Sequence, residues 1–63
     1  MTSDPDERLR KLRHDISNPL AAMLAETQLL LLKEDSLDEE TVVSLREIES
    51  LARRMREILQ SRS

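Results

Sequence analysis

The chain of 63 residues contains no cysteine, no glycine and no aromatic residue. Without cysteine there is no disulfide and no thiolate metal site, and secretion gains no support. Without glycine, a Gly-rich phosphate loop is excluded and tight turns needing φ > 0 are disfavoured. Long apolar runs are missing as well. The longest, Leu29 to Leu32, is far too short to span a bilayer. Met1 to Arg8 is acidic and polar, which is not the pattern of a signal peptide. A net charge of −3 argues against nucleic-acid binding. The expected location is the cytoplasm, with no direct membrane contact.

What remains is charge and aliphatic bulk. Charged residues of both signs make up 37% of the chain, beside abundant Leu, Ala, Glu and Arg. That is the composition of long amphipathic helices. We therefore expect one all-α domain over residues 1–63. Helix 1 should run from about 5 to 33, a loop from about 34 to 37, and helix 2 from about 38 to 60. A two-helix hairpin this small has little to bury its apolar stripes against, and disulfides and metals lack support here. The simplest remaining answer is an antiparallel helical hairpin that dimerizes into a four-helix bundle.

Local signals mark the helix ends. Asp4-Pro5-Asp6-Glu7 reads as a start, with Asp4 as N-cap, Pro5 at the first helical position and Glu7 where a capping box wants it. Ser36 followed by Glu39 is a second capping-box pattern, and Asp38 is a rival cap. In helix 1 the apolar stripe is Leu9, Leu12, Ile16, Leu20, Met23 and Thr27, extended by Leu30 and Leu31. In helix 2, Leu45, Ile48, Ala52, Met55 and Leu59 form a heptad seam that Leu51 and Ile58 widen.

Pro19 breaks the local rule, because helical spacing continues on both sides of it. It has no N–H for the carbonyl of Asp15, its ring crowds that carbonyl, and it costs roughly 3 kcal/mol. The only histidine, His14, lies close by. At about 100° per residue His14 falls nearly opposite the apolar stripe, so it should face solvent. Asn18 lies on the same face one turn later, and Ala21 and Ala25 continue down it. Antiparallel pairing should bring Arg53 to Arg56 level with His14 and Asn18, joining Arg8, Arg10, Lys11 and Arg13 in a basic end. Most of these charges are read as solvated faces. One histidine alone does not make a metal site. It can be a nucleophile, given a deprotonated nitrogen and a neighbouring acceptor such as Asp15.

The ordered string Arg13-His14-Asp15-Ile16-Ser17-Asn18-Pro19-Leu20 resembles the H-box of sensor histidine kinases. The resemblance spans nearly the whole chain and is to the dimerization and histidine phosphotransfer domain of the HisKA type. It implies that His14 is the phosphoacceptor, attacking the γ-phosphate of ATP through Nε2. Asp15 would be the acidic neighbour at Nδ1–H, Asn18 would position water in a phosphatase reaction, and Pro19 would let the upper helix bend. Asp15 departs from the commoner Glu, and Ser17 from the commoner basic residue. The Asn-rich and Gly-rich boxes of the family's ATP-binding domain have no counterpart. The chain is therefore expected to be an excised domain, the alternative being a phosphoacceptor that uses a kinase domain in trans. It is not a complete kinase, with ATP and Mg expected on a separate catalytic domain and no cofactor of its own. The partners implied are a second copy, that catalytic domain and a response-regulator receiver domain. The host could be a membrane-bound sensor, of which this would be a cytoplasmic part. The competing readings are a monomeric histidine phosphotransfer protein, whose four or more helices 63 residues cannot supply, and a non-catalytic helical dimerization or adaptor module.

Overall fold

The computed structural model describes residues 4–61; residues 1–3 and 62–63, the ends of the expected domain, lie outside them. Helix α1 spans Pro5–Leu31, a 3₁₀ turn spans Glu34–Ser36, and helix α2 spans Glu39–Ser61. The two helices pack against each other as an antiparallel hairpin, and there is no strand among the described residues.

Each helix starts where a carboxylate can cap it. Asp4 takes an extended conformation, and its Oδ1 accepts from the backbone N–H of Asp6 at 3.1 Å. Pro5 follows at the first helical position, where its missing N–H costs nothing. Glu7 makes no reciprocal bond among the described residues, so the capping box is half formed. At α2 Asp38 wins over Ser36. Its Oδ1 accepts from the N–H of Thr41 at 3.1 Å, whereas the Ser36 hydroxyl donates back to the carbonyl of Lys33 at 2.8 Å.

Helix α1 stops two residues short of the expected Lys33. With no glycine to adopt φ > 0, the end closes by tightening. The N–H of Lys33 bonds the carbonyl of Leu30 at 3.0 Å, and that of Ser36 bonds Lys33 at 2.9 Å, both three-residue spans. Leu37 then turns extended and leads into α2. Glu34 on the turn accepts from Arg46 of α2 at 2.7 Å, tying the loop to the helix it precedes.

The buried contact is narrower than the stripes the sequence shows. Leu20, Leu24 and Ala52 form the core, with Leu59 packed on it, and Thr27 is buried beside them. Thr27 meets its polar cost by donating to the carbonyl of Met23 at 2.7 Å. Leu24 lies outside the expected stripe. It is buried because the line facing α2 runs through Leu20, Leu24, Thr27 and half-buried Leu31, to one side of the stripe's centre. In α2 the heptad seam divides. Ala52 is buried and Leu45 and Leu59 are half-buried, while Ile48 and Met55 each remain 47% exposed.

Most of the apolar positions left out of the hairpin share a face. Leu12, Met23 and Leu30 on α1, and Ile48, Leu51, Met55 and Ile58 on α2, are all exposed. On each helix they lie roughly a quarter turn from the buried line, in the same rotational sense along the chain. Because the helices are antiparallel, that shared sense puts both sets on the same side of the hairpin. The Cα extents, 54 × 16 × 13 Å, are those of a thin rod with nothing to cover that side.

Two carboxylates make the hairpin acid-sensitive. Hydrogen bonds from Thr41, the hydroxyl first and the backbone N–H second, hold Asp38 below its ordinary value of 3.8. Hydrogen bonds from Arg53 and then Gln28 hold Glu49 below its ordinary 4.5. A lowered folded value means that the stabilisation is present in full above the ordinary value and is lost as pH falls through the lowered one. Helix unfolding followed by circular dichroism should show melting temperature falling with acid below that range. Asp38→Asn keeps a good cap but cannot titrate, so its acid slope should be shallower. An unchanged slope would remove Asp38 from this account.

Candidate functional site

Helix α1 runs unbroken through Pro19. The proline sits where the carbonyl of Asp15 would receive its i+4 donor, so that carbonyl loses its helical partner one residue from His14. Both His14 and Asp15 are exposed, and the His14 side chain is 74% accessible. From the wheel, His14 points away from the apolar side of the hairpin, onto the opposite side. Asn18 is exposed about 6 Å further along the axis, and its amide has no side-chain partner among the described residues. Ala21, Ala22 and Ala25 continue the exposed surface below it.

Asp15 approaches the imidazole through Oδ1, which lies 3.9 Å from Nδ1. That is closer than adjacent helix positions usually come, but it is too long for a hydrogen bond. The hydrogen bond of Asp15 goes elsewhere. Its other oxygen, Oδ2, accepts from Nζ of Lys11 at 3.2 Å. Sequence reasoning counted Lys11 only as one of several basic residues, although its i,i+4 spacing to Asp15 was visible.

The arginines do not surround His14 as expected. The cross-helix bonds of Gln28 to Glu49, 3.3 Å, and Glu34 to Arg46 set the register. That register puts Arg53 about level with Leu24 and Arg56 about level with Ala21, two to three turns below His14. The chain travels further between the helices than the expected loop of about 34–37, which shifts the register. Arg53 is also engaged, donating to Oε2 of Glu49 at 3.2 Å. Arg13 is half-buried on the seam toward α2, and its Nε is buried without a hydrogen-bond partner among the described residues. The cations of helix α1 near His14 are thus Arg10 and Lys11, both exposed.

The chemistry available is that of an accessible imidazole with one carboxylate on the Nδ1 side of the ring. No helix among the described residues is long and apolar enough to cross a membrane. The family model for the His Kinase A (phospho-acceptor) domain matches residues 6–61. No curated protein and no solved structure matches the chain significantly. The family match takes in both helices, the turn between them and the histidine face, and on it the chain belongs to the His Kinase A phospho-acceptor domains, the phosphoacceptor and dimerization units of histidine kinases.

Proposed function

We propose that this chain is the dimerization and phosphoacceptor domain of a sensor histidine kinase and that His14 carries the phosphate. The observation that carries the reading is that a chain of this family has one histidine, and that histidine is exposed. The Nε2 lone pair attacks the γ-phosphorus of ATP held by a separate catalytic domain. The N–P bond forms, the bond from phosphorus to the bridging β,γ-oxygen breaks, and ADP leaves. Nδ1 keeps its proton, and Asp15 stabilises the positive charge that develops on the ring. A carboxylate of a response-regulator receiver domain then attacks the phosphorus, the N–P bond breaks, and neutral His14 is regenerated. With ATP as donor, the reaction belongs in the cytoplasm.

A second copy completes the fold. The uncovered side chains of Leu12, Met23, Leu30, Ile48, Leu51, Met55 and Ile58 meet their counterparts in a four-helix bundle. His14 points the other way, so dimerization leaves it open to the catalytic and receiver domains.

Asp15 and Asn18 divide the labour. Asp15 can pair with the imidazole and serves the nucleophile. The Asn18 amide can hold a water but cannot act as a base, and it serves hydrolysis of the phosphorylated receiver. Losing such a group costs about 10²–10⁴-fold in rate. Asp15→Ala should slow phosphorylation of His14. Asn18→Ala should spare that step and slow receiver dephosphorylation. Both rates are measured for both variants, with the dimer mixed with its kinase and receiver domains. If Asn18→Ala blocks autophosphorylation as strongly as Asp15→Ala, this division is wrong.

A further inference from the structure

We infer that Lys11 is a positioning residue for the His14–Asp15 pair: its ammonium holds one carboxylate oxygen so that the other stays turned toward Nδ1. The inference rests on the reading of His14 as the nucleophile. An ionised carboxylate has two acceptor oxygens. Here they are allotted separately, Oδ2 to Nζ of Lys11 at 3.2 Å and Oδ1 to the Nδ1 side of His14 at 3.9 Å. Lysine and histidine therefore act on Asp15 together and do not compete for one atom.

The need for such a hold follows from the geometry. Residues i and i+1 diverge on a helix by about 100°, so an exposed Asp15 free to choose its rotamer spends time turned away from His14. Lys11 lies one turn before Asp15, on the side of the helix that His14 and Asn18 share. An ammonium anchored there restricts the carboxylate from above. Asp15 is the only side chain that approaches His14 as a charge or hydrogen-bond partner among the described residues.

The consequence for chemistry is a tautomer. A carboxylate beside Nδ1 favours the proton on Nδ1 and leaves the lone pair on Nε2. Nε2 is the atom that must attack phosphorus. Lys11 thus acts on the nucleophile through Asp15 and touches neither the ring nor the phosphate in this arrangement. The pair is exposed, Lys11 at 77% and Asp15 at 55%, so its leverage is modest. An i,i+4 pair of this kind changes a population by about twofold.

Because His14 is the only histidine, its imidazole nitrogens give one pair of signals. The test is the ¹⁵N spectrum of the labelled domain, recorded at a pH above which the two imidazole nitrogen signals no longer move with added base. The two nitrogen shifts give the ratio of Nδ1–H to Nε2–H forms. Lys11→Met should shift that ratio about twofold toward Nε2–H. Lys11→Arg, which can still hold Oδ2, should restore it. In an Asp15→Asn background Lys11→Met should change nothing. Helicity should be intact throughout, since Lys11 is a surface residue. An unchanged ratio in Lys11→Met overturns the inference. So does a shift toward Nδ1–H, which would mean competition, or an equal shift in the Asp15→Asn background, which would mean a direct field effect. No kinase is present in this measurement. Absence of phosphate on His14 would therefore end the functional reading while leaving the Lys11 result standing.

Discussion

His14→Gln is expected to abolish phosphorylation by a histidine kinase catalytic domain and ATP while leaving the helical circular dichroism signal unchanged. The side chain is exposed, so nothing in the hairpin core depends on it. Glutamine keeps polarity and helix propensity but offers no basic nitrogen. The stability of the wild-type product identifies the bond. A phosphoramidate is labile in acid and stable in base, whereas a phosphate on one of the serine or threonine hydroxyls behaves in the opposite way. Equal labelling of the glutamine variant would end the phosphoacceptor reading.

Ile48→Asp should produce a largely unfolded monomer. Ile48 sits in the middle of the uncovered apolar side and is half exposed in the single hairpin. Covering the remaining half of each such side chain is worth about 1 kcal/mol. Over the seven that share the face, that is of order 7 kcal/mol per chain, against the 3–5 kcal/mol that a core this small supplies alone. A carboxylate at the centre of that face is buried unpaired in the dimer and prevents its formation. Val43→Asp is the control. Val43 is somewhat more exposed, but it lies on the outer side of α2, away from the uncovered face. Sedimentation and circular dichroism should report a folded dimer for the wild type and Val43→Asp, and loss of both mass and helicity for Ile48→Asp. A folded helical monomer of the Ile48 variant would contradict the account.

Much of the hairpin was legible in the chain because helix signals are local. Asp4-Pro5 carries cap and first helical residue in adjacent positions, and periodicity of three and four carries both helices past Pro19. Choices that depend on neighbours in space were not legible. Ser36 and Asp38 both read as caps, and the Lys33 carbonyl, without an i+4 donor at the end of α1, takes the Ser36 hydroxyl as well as its N–H. A wide stripe cannot say which of its edges faces the partner helix. Leu24 on one flank is therefore buried, while Met23 beside it stays exposed. The level of Arg53 and Arg56 depends on how many residues the turn consumes, and the 3₁₀ segment with extended Leu37 consumes more than the expected loop. At the site, the exposed face of His14 follows from helix geometry alone. The approach of Asp15 to Nδ1 and its hold by Lys11 depend on rotamers, which no periodicity encodes.

The most direct test of the central claim is a heteronuclear spectrum of the domain after reaction with a histidine kinase catalytic domain and ATP, recorded with ¹⁵N-labelled histidine. The single imidazole makes the assignment unambiguous. The account predicts a ³¹P–¹⁵N coupling on Nε2 of His14, with Nδ1 still protonated. Coupling at Nδ1, or a phosphorylated domain whose histidine nitrogens show no phosphorus coupling, would contradict it.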